Sequence, residues 1–180
     1  MDTSFTELKK HIRSIPDWPK KGVIFRDIST LMDDRLVFRK VVDAFVYRYL
    51  KTEIDAVVSI DARGFIIGAP LAYLLNTAFV PVRKKGKLPA ETISQAYALE
   101  YGEAEVELHI DALGKGDRVL LIDDLIATGG TMLAAAQLIK QLGAEIVEAA
   151  AIINLPDIGG SAKLYEAGLK VHAFCEFEGD

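Results

Sequence analysis

Short runs rich in valine and isoleucine recur along this chain, with helical patterns between them. IDAVVSI is followed by GFIIGAPLAYLLN, RVLLID by GGTMLAAAQLIKQLG, and AEIVEAAAIINL by SAKLYEAG. A strand that is apolar at nearly every position must be buried on both faces, and helices packed above and below a sheet bury it. The alternation therefore predicts an α/β fold with a mainly parallel central sheet flanked by helices. At 180 residues, 51% of them hydrophobic, the chain is expected to form one domain with a sizeable core.

The remaining segments are less uniform. TELKKHIRSI has a helical pattern, IPDWPKKG reads as a proline-rich link, and VIFRDI as a short extended piece. LVFRKVVDAFVYRYL repeats its apolar positions at helical spacing, with Asp33 or Asp34 available as an N-cap. GFIIGAPLAYLLN is expected to stay helical despite Pro70 near its first turns, and Gly143 marks a helix stop. AFVPVR and LKVHAFCEF are further strands. KKGKLPAETISQAYALEYG is irregular and VELHIDAL alternates after it like a hairpin arm, so the middle is expected to be an inserted hood or flap.

Several function classes are disfavoured. No apolar run approaches the roughly 18 residues of a membrane helix, and MDTSFTELKKHIRSI lacks the apolar core of a signal peptide. The cytoplasm is the expected location, with no membrane partner. The one cysteine, Cys175, excludes an internal disulfide or a multi-cysteine metal site and reads as a half-buried thiol. His11, His109 and His172 show no metal-ligand spacing. A net charge of −5 argues against nucleic acid as a broad-surface partner.

Residues 119 to 131, VLLIDDLIATGGT, carry the chemistry. Glycines let a ligand approach the backbone, and the N-terminus of the following helix offers free N–H groups and a positive dipole end. Thr128 and Thr131 add hydroxyls. There is neither the GK[ST] of a Walker loop nor GxGxxG, so a phosphate monoester fits better than a nucleoside triphosphate or a dinucleotide. Asp123 and Asp124 would repel that phosphate but accept hydrogen bonds from vicinal hydroxyls. A ribose 5-phosphate satisfies both halves, and a divalent cation near the hydroxyls would relieve the paired charge. The plain alternative is an acidic strand end followed by a glycine turn.

The same thirteen residues resemble the phosphoribosyl pyrophosphate (PRPP) signature of the type I phosphoribosyltransferases. PDWPKKGVIFRDIS, DARGFIIGAPLA, VRKKGKLPAETISQAYALEYG and INLPDIGG resemble, in order, segments of the adenine-specific branch, so the likeness covers about residues 5 to 175. It implies the type I fold, with a small hood from residues 1–30 and the C-terminal part, and a flexible flap at about 84–104. The implied reaction converts adenine and PRPP to AMP and pyrophosphate, with Mg²⁺ bound mainly through PRPP rather than by protein ligands. A homodimer is implied as well.

Residue by residue, the resemblance assigns Asp123, Asp124, Ala127, Thr128, Gly129, Gly130 and Thr131 to the ribose 5-phosphate. Ala127 stands where relatives acting on 6-oxopurines carry an aspartate, which favours adenine. Asp61, Ala62, Arg63 and Gly64 are assigned to pyrophosphate, joined by Arg83, Lys84 and Lys87, which would reach the neighbouring subunit's pyrophosphate. Ile24, Phe25, Arg26 and Leu155 would frame adenine, with main-chain groups at its edge and Phe25 against its face. The side chain of Arg26 is expected to tie the loop, with Asp27 as its partner. Glu100 becomes the proton shuttle and Tyr101 a flap residue closing over the ribose. Asn154 departs from members with glutamate there. Without the resemblance, Glu100 is a solvated carboxylate, the basic turn a solvated surface, and Phe25 and Tyr101 core aromatics.

Two other readings compete. One is a phosphoribosyltransferase for another base, such as xanthine or orotate. The other is a PRPP-binding regulator without turnover, but the residues before VIFRD hold no helix-turn-helix candidate or basic recognition helix.

Overall fold

The computed structural model describes residues 7–98 and 102–178. Strands β1 (Arg13–Pro16) and β2 (Ile24–Asp27) form an antiparallel hairpin, followed by helices α1 (Ser29–Asp33) and α2 (Arg35–Tyr49). Then come β3 (Ala56–Ile60), α3 (Arg63–Leu75) and β4 (Ala78–Lys84), and a second hairpin of β5 (Thr92–Ala98) and β6 (Glu103–His109). The chain continues through β7 (Arg118–Ile122), the short β8 (Leu125–Ile126), α4 (Gly130–Gln141), β9 (Glu145–Asn154), α5 (Gly160–Glu166) and β10 (Val171–Glu176).

The main sheet runs in the order β10-β9-β7-β3-β4-β6-β5, with β8 added beside β9. From β10 to β4 every pairing is parallel, and the β5–β6 hairpin joins antiparallel through Arg83↔Glu107 and Lys84↔Val106. Successive strand residues point to opposite faces. Accordingly Val58, Leu121 and Ala149 join α4 and α5 in one apolar cluster, while Val57, Leu120 and Ala150 join α1, α2 and α3 in the other. The expected α/β architecture is therefore present, with cover on both faces. No helix among the described residues is long and apolar enough to cross a membrane.

Four local expectations need correction. TELKKHIRSI yields only a single 3-10 turn at Leu8–His11 before the chain extends into β1. Pairing with β2 satisfies that backbone, and Arg13 reaches Asp27 across the hairpin at 2.6 Å, so tertiary partners outweigh helical pattern. Pro70 sits midway along α3, not in its first turns. The helix survives the lost hydrogen bond because Ile67 and Leu71, on either side, are fully buried. Arg26 donates to Ser14 at 2.6 Å rather than pairing with Asp27, since adjacent strand residues face opposite ways. Cys175 is buried rather than half-buried, and burial pushes its thiol up to about 12, which leaves no nucleophile at neutral pH. Asp34 is the cap of α2, accepting from the N–H groups of Leu36 and Val37.

Away from the C-terminal strand ends, Arg48 grips Glu148 with two hydrogen bonds, at 2.7 and 2.9 Å, and Tyr49 donates to the same carboxylate at 2.6 Å. His172 lies beside this group with its Nε2 enclosed and unpaired. Burial, then the Arg48 charge, push its imidazole below the usual value of 6.5, against a partial pull from Glu148. The unfolded chain thus takes up a proton that the folded chain resists. The associated stabilisation is complete above pH 6.5 and is lost as pH falls through the lowered folded value. Between about pH 7.5 and about pH 5.5, the urea midpoint is expected to drop more for the parent protein than for His172→Gln. Equal drops would clear His172 of the effect.

Candidate active site

The site follows from the topology. From β3 the chain crosses to β4 on one side, and from β7 it crosses to β9 on the other. The two loops therefore part at adjacent carboxyl ends, where an open α/β sheet leaves a crevice. Asp61 and Ala62, joined by a cis peptide bond, leave β3, while Asp123 and Asp124 leave β7.

A cleft of about 590 Å³ lies there. Asp61, Ala62, Arg63, Arg83, Lys84 and Lys87 line it together with Asp123, Asp124 and Thr131, all expected from the sequence. Arg83, Lys84 and Lys87 line the cleft of their own chain. Gly64 is buried and does not line the cleft, but it packs behind the acid pair, where a β-carbon would be 3.1 Å from Asp123 Oδ1. A smaller space of about 100 Å³ adjoins it, lined by Asp123 and by the whole loop from Ala127 to Thr131.

Of the two adjacent carboxylates, Asp123 borders both spaces and Asp124 the larger one. Asp124 is 3% exposed, and Arg63 Nε donates to its Oδ2. The Asp124 N–H donates to Asp123 Oδ1 at 2.8 Å. Burial, then the neighbouring Asp124 charge, push the Asp123 carboxyl well above the carboxylate range. One of the two acids thus favours its protonated form until a ligand brings donors or positive charge. The Arg63 guanidinium also lies 5.7 Å from the Phe25 ring centre, linking the acid pair to β2.

The loop at 127–131 is held from behind. Gly129 is left-handed (φ +75°) and precedes the first turn of α4, so the free N–H groups of that turn face the small space. Gly160, at the start of α5, donates its N–H to Ala127 O at 2.9 Å. A β-carbon at Gly160 would lie 2.1 Å from that oxygen and 2.6 Å from Gly129 N. Only glycine permits this approach.

The expected adenine residues are less concentrated. Ile24, Phe25 and Arg26 lie on β2, where Phe25 meets Trp18 edge-on at 4.4 Å. Leu155 is 6% exposed and belongs to the core cluster against which Ala127 and Ile158 pack, and it lines neither space. Asn154 donates to Glu176 at 2.9 Å, so β10 supplies a carboxylate beside this position. Glu100 and Tyr101 lie outside the described residues.

Sequence reasoning missed four neighbours of the site. Tyr97 lines the cleft, with Cδ2 3.2 Å from where a β-carbon on Gly130 would be. Lys163 Nζ reaches Thr128 O at 3.4 Å, bringing to the loop a lysine that its own sequence lacks. Trp18 and Gly160 are the others. The paired glycines of INLPDIGG were a visible signal for the last.

This architecture is shared with known proteins. The model of the phosphoribosyl transferase domain matches residues 30–166. An adenine phosphoribosyltransferase of Marinobacter nauticus is 62% identical over 180 residues, covering 100% of both chains. The crystal structure of adenine phosphoribosyltransferase from Thermoanaerobacter pseudethanolicus superposes with a TM-score of 0.91 at 42% identity, covering 96% of this chain and 99% of that one. The Saccharomyces cerevisiae enzyme, complexed with an imino-altritol bisphosphate and adenine, gives 0.90 at 35% identity over 97% and 100%. With a strand-end acid pair, a glycine loop and a cationic cleft in the arrangement of this fold, the chain belongs to the phosphoribosyltransferase family and, within it, to the adenine phosphoribosyltransferases.

Proposed function

We propose that this protein transfers the 5-phosphoribosyl group of PRPP to adenine, releasing pyrophosphate and forming AMP. The observation that carries the reading is the acid pair Asp123–Asp124, set between an anion-binding glycine loop and a cleft lined by Arg63, Arg83, Lys84 and Lys87. A phosphate at one end, vicinal hydroxyls in the middle and a diphosphate at the other match these three surfaces in order.

The loop N–H groups and the Thr128 and Thr131 hydroxyls hold the 5-phosphate, and the acid pair accepts from the ribose hydroxyls. The bond from the anomeric carbon to pyrophosphate breaks through an oxocarbenium-like state, and the bond to adenine N9 forms. Arg63, Arg83, Lys84 and Lys87 stabilise the charge that gathers on the departing diphosphate. Phe25 stacks on adenine, with Ile24, Arg26 and Leu155 around it. The N9 proton passes to Glu100, and residues 84–104, with Tyr101, close over the ribose to exclude water.

Among the described residues, no group of three or more His, Cys, Asp or Glu side chains is arranged to hold a metal ion. The adjacent carboxylates Asp123 and Asp124, in a cleft also lined by Arg63, Arg83, Lys84 and Lys87, nevertheless fit Mg²⁺ bound mainly through ligand oxygens, and they would be the protein groups to hold it. Such an ion would neutralise diphosphate charge. We also propose a homodimer. Phe79 on β4 and Ile66, Tyr73 and Leu74 on α3 are exposed apolar residues suited to a second copy.

Pyrophosphate release should be followed with PRPP and Mg²⁺ against adenine, hypoxanthine, guanine, xanthine and orotate in parallel. Turnover with adenine alone is expected. Turnover with another base would leave the ribose-phosphate site standing but overturn the account of Ala127 and Phe25. Binding of PRPP without turnover on any base would establish a sensor instead.

A further inference from the structure

Strand β6 carries a carboxylate in its interior that the reaction just described does not use. Glu107 is 4% exposed, between the core residues Val106 and Leu108. Its Oε1 accepts from the backbone N–H groups of Lys87, at 2.8 Å, and Leu88, at 2.7 Å, and the Thr92 hydroxyl approaches Oε2 at 3.5 Å. Burial pushes this carboxyl up, but the N–H groups of Leu88, Gly86 and Lys87 outweigh it and hold it below its usual value. The group is therefore an anion at neutral pH.

Those N–H groups belong to the turn between β4 and β5. Arg83, Lys84, Lys85 and Lys87 crowd into five residues at the end of β4 and the start of this turn, so like charges push against its closing. Lys85 is drawn aside to Glu105. The others face the cleft, and their placement depends on a continuous chain of contacts. Glu107 fixes the Lys87 N–H, the Lys87 carbonyl accepts from Arg83 Nη1 at 3.0 Å, and Arg83 Nε donates to Asp61 Oδ2 at 3.1 Å. The chain starts in the packed hairpin and ends at the β3 loop on the cleft wall.

We propose that Glu107 is a positioning residue for the pyrophosphate end of the reaction, its buried carboxylate fixing the 84–88 turn so that Arg83, Lys84 and Lys87 present their charges to the departing diphosphate. The proposal rests on the phosphoribosyl-transfer reading above. Glu107 touches no substrate and acts through the turn. The hairpin itself has other supports. β5 and β6 are paired from Thr92↔His109 to Ala98↔Glu103, and Val106 and Leu108 are anchored in the core. Loss of the carboxylate therefore leaves the strands paired and loosens the turn at Lys87 and Leu88, which keeps its Lys87 N–H to Lys84 O bond at 3.2 Å and its Lys85 N–H to Glu105 O bond at 3.1 Å.

The test uses Glu107→Gln, which keeps the shape and an acceptor oxygen for the two N–H groups but removes the charge that strengthens those bonds, and Glu107→Asp, which keeps the charge on a shorter arm. Binding of inorganic pyrophosphate with Mg²⁺, and separately of AMP, is measured by calorimetry on the full chain, alongside KM for PRPP and for adenine. Glu107→Gln is expected to weaken pyrophosphate and raise the KM for PRPP by about tenfold or more, while AMP affinity and the adenine KM stay within about twofold. Glu107→Asp should lie between it and the parent, and it carries the same comparison should the Gln variant fail to fold. A parallel loss of AMP and pyrophosphate binding would mean a purely structural role and overturn the proposal, as would unchanged pyrophosphate binding. Failure of the parent protein to bind pyrophosphate would overturn it too. Failure to turn over adenine, with both ligands still bound, would instead remove the proposed reaction.

Discussion

Asp124→Asn is expected to weaken PRPP binding by about a hundredfold or more while leaving adenine affinity within about threefold. The carboxylate is 3% exposed and already bonded to Arg63, so it is desolvated before the ligand arrives. In the proposed reaction Asp124 accepts from a ribose hydroxyl, and each charge-assisted hydrogen bond of that kind contributes about 1.5–3 kcal/mol, most of which an amide forfeits. The substitution also turns one acceptor into a donor, facing both the hydroxyls and the guanidinium of Arg63. Folding should suffer less, because the Arg63 side chain is 50% exposed and can be rehydrated. Asp123→Asn should be the gentler change in the free protein, where burial and the Asp124 charge already favour a neutral carboxyl. Calorimetric titration with Mg²⁺ and PRPP, then with adenine, checks both. Unchanged PRPP affinity in Asp124→Asn would take the ribose away from the acid pair.

What could be read in advance was whatever lies close in sequence. VLLIDDLIATGGT holds a strand, its exit, an anion loop and a helix start within thirteen residues, so periodicity and residue chemistry suffice. The same holds for the α2 helix, whose cap the sequence narrows to Asp33 or Asp34 and the structure places at Asp34. Contacts closed over long distances were not legible. Glu107 reads as one polar position in an alternating strand, because the turn that it holds is about twenty residues away and folds back only once β6 has paired with β4. Tyr97 reaches the cleft by that same hairpin. The failure at TELKKHIRSI has the same origin, since the partner of β1 is β2, across a proline-rich link whose geometry the local pattern does not disclose. Arg26 shows the converse: Asp27 is its neighbour in sequence, but Ser14, across the hairpin, is its hydrogen-bond partner.

Gly160→Ala is the second large effect, and it separates a bound phosphate from a merely well-packed loop. The new methyl carbon would stand 2.1 Å from Ala127 O and 2.6 Å from Gly129 N, both backbone atoms that no side-chain rotation can move away. Either α5 withdraws, disturbing the fully buried Leu164, or the 127–131 loop shifts and misaims its N–H groups. Overpacking of this kind costs about 1–3 kcal/mol and occasionally more. A shift of 1 Å in a preorganised anion site is expected to lower AMP affinity by about a hundredfold. Pyrophosphate, which the proposed reaction assigns to Arg63, Arg83, Lys84 and Lys87 at the other end of the cleft, should lose no more than about threefold in affinity. Gly159→Ala is the matched control. Gly159 also has positive φ, +84°, but a β-carbon there meets nothing within 4 Å. It should cost about 1 kcal/mol of backbone strain and leave AMP binding nearly intact. Urea unfolding with AMP and pyrophosphate calorimetry on both variants decides the matter. If Gly160→Ala is destabilised yet binds AMP like its parent, the 5-phosphate does not sit on this loop, and the small space beside Asp123 needs another ligand.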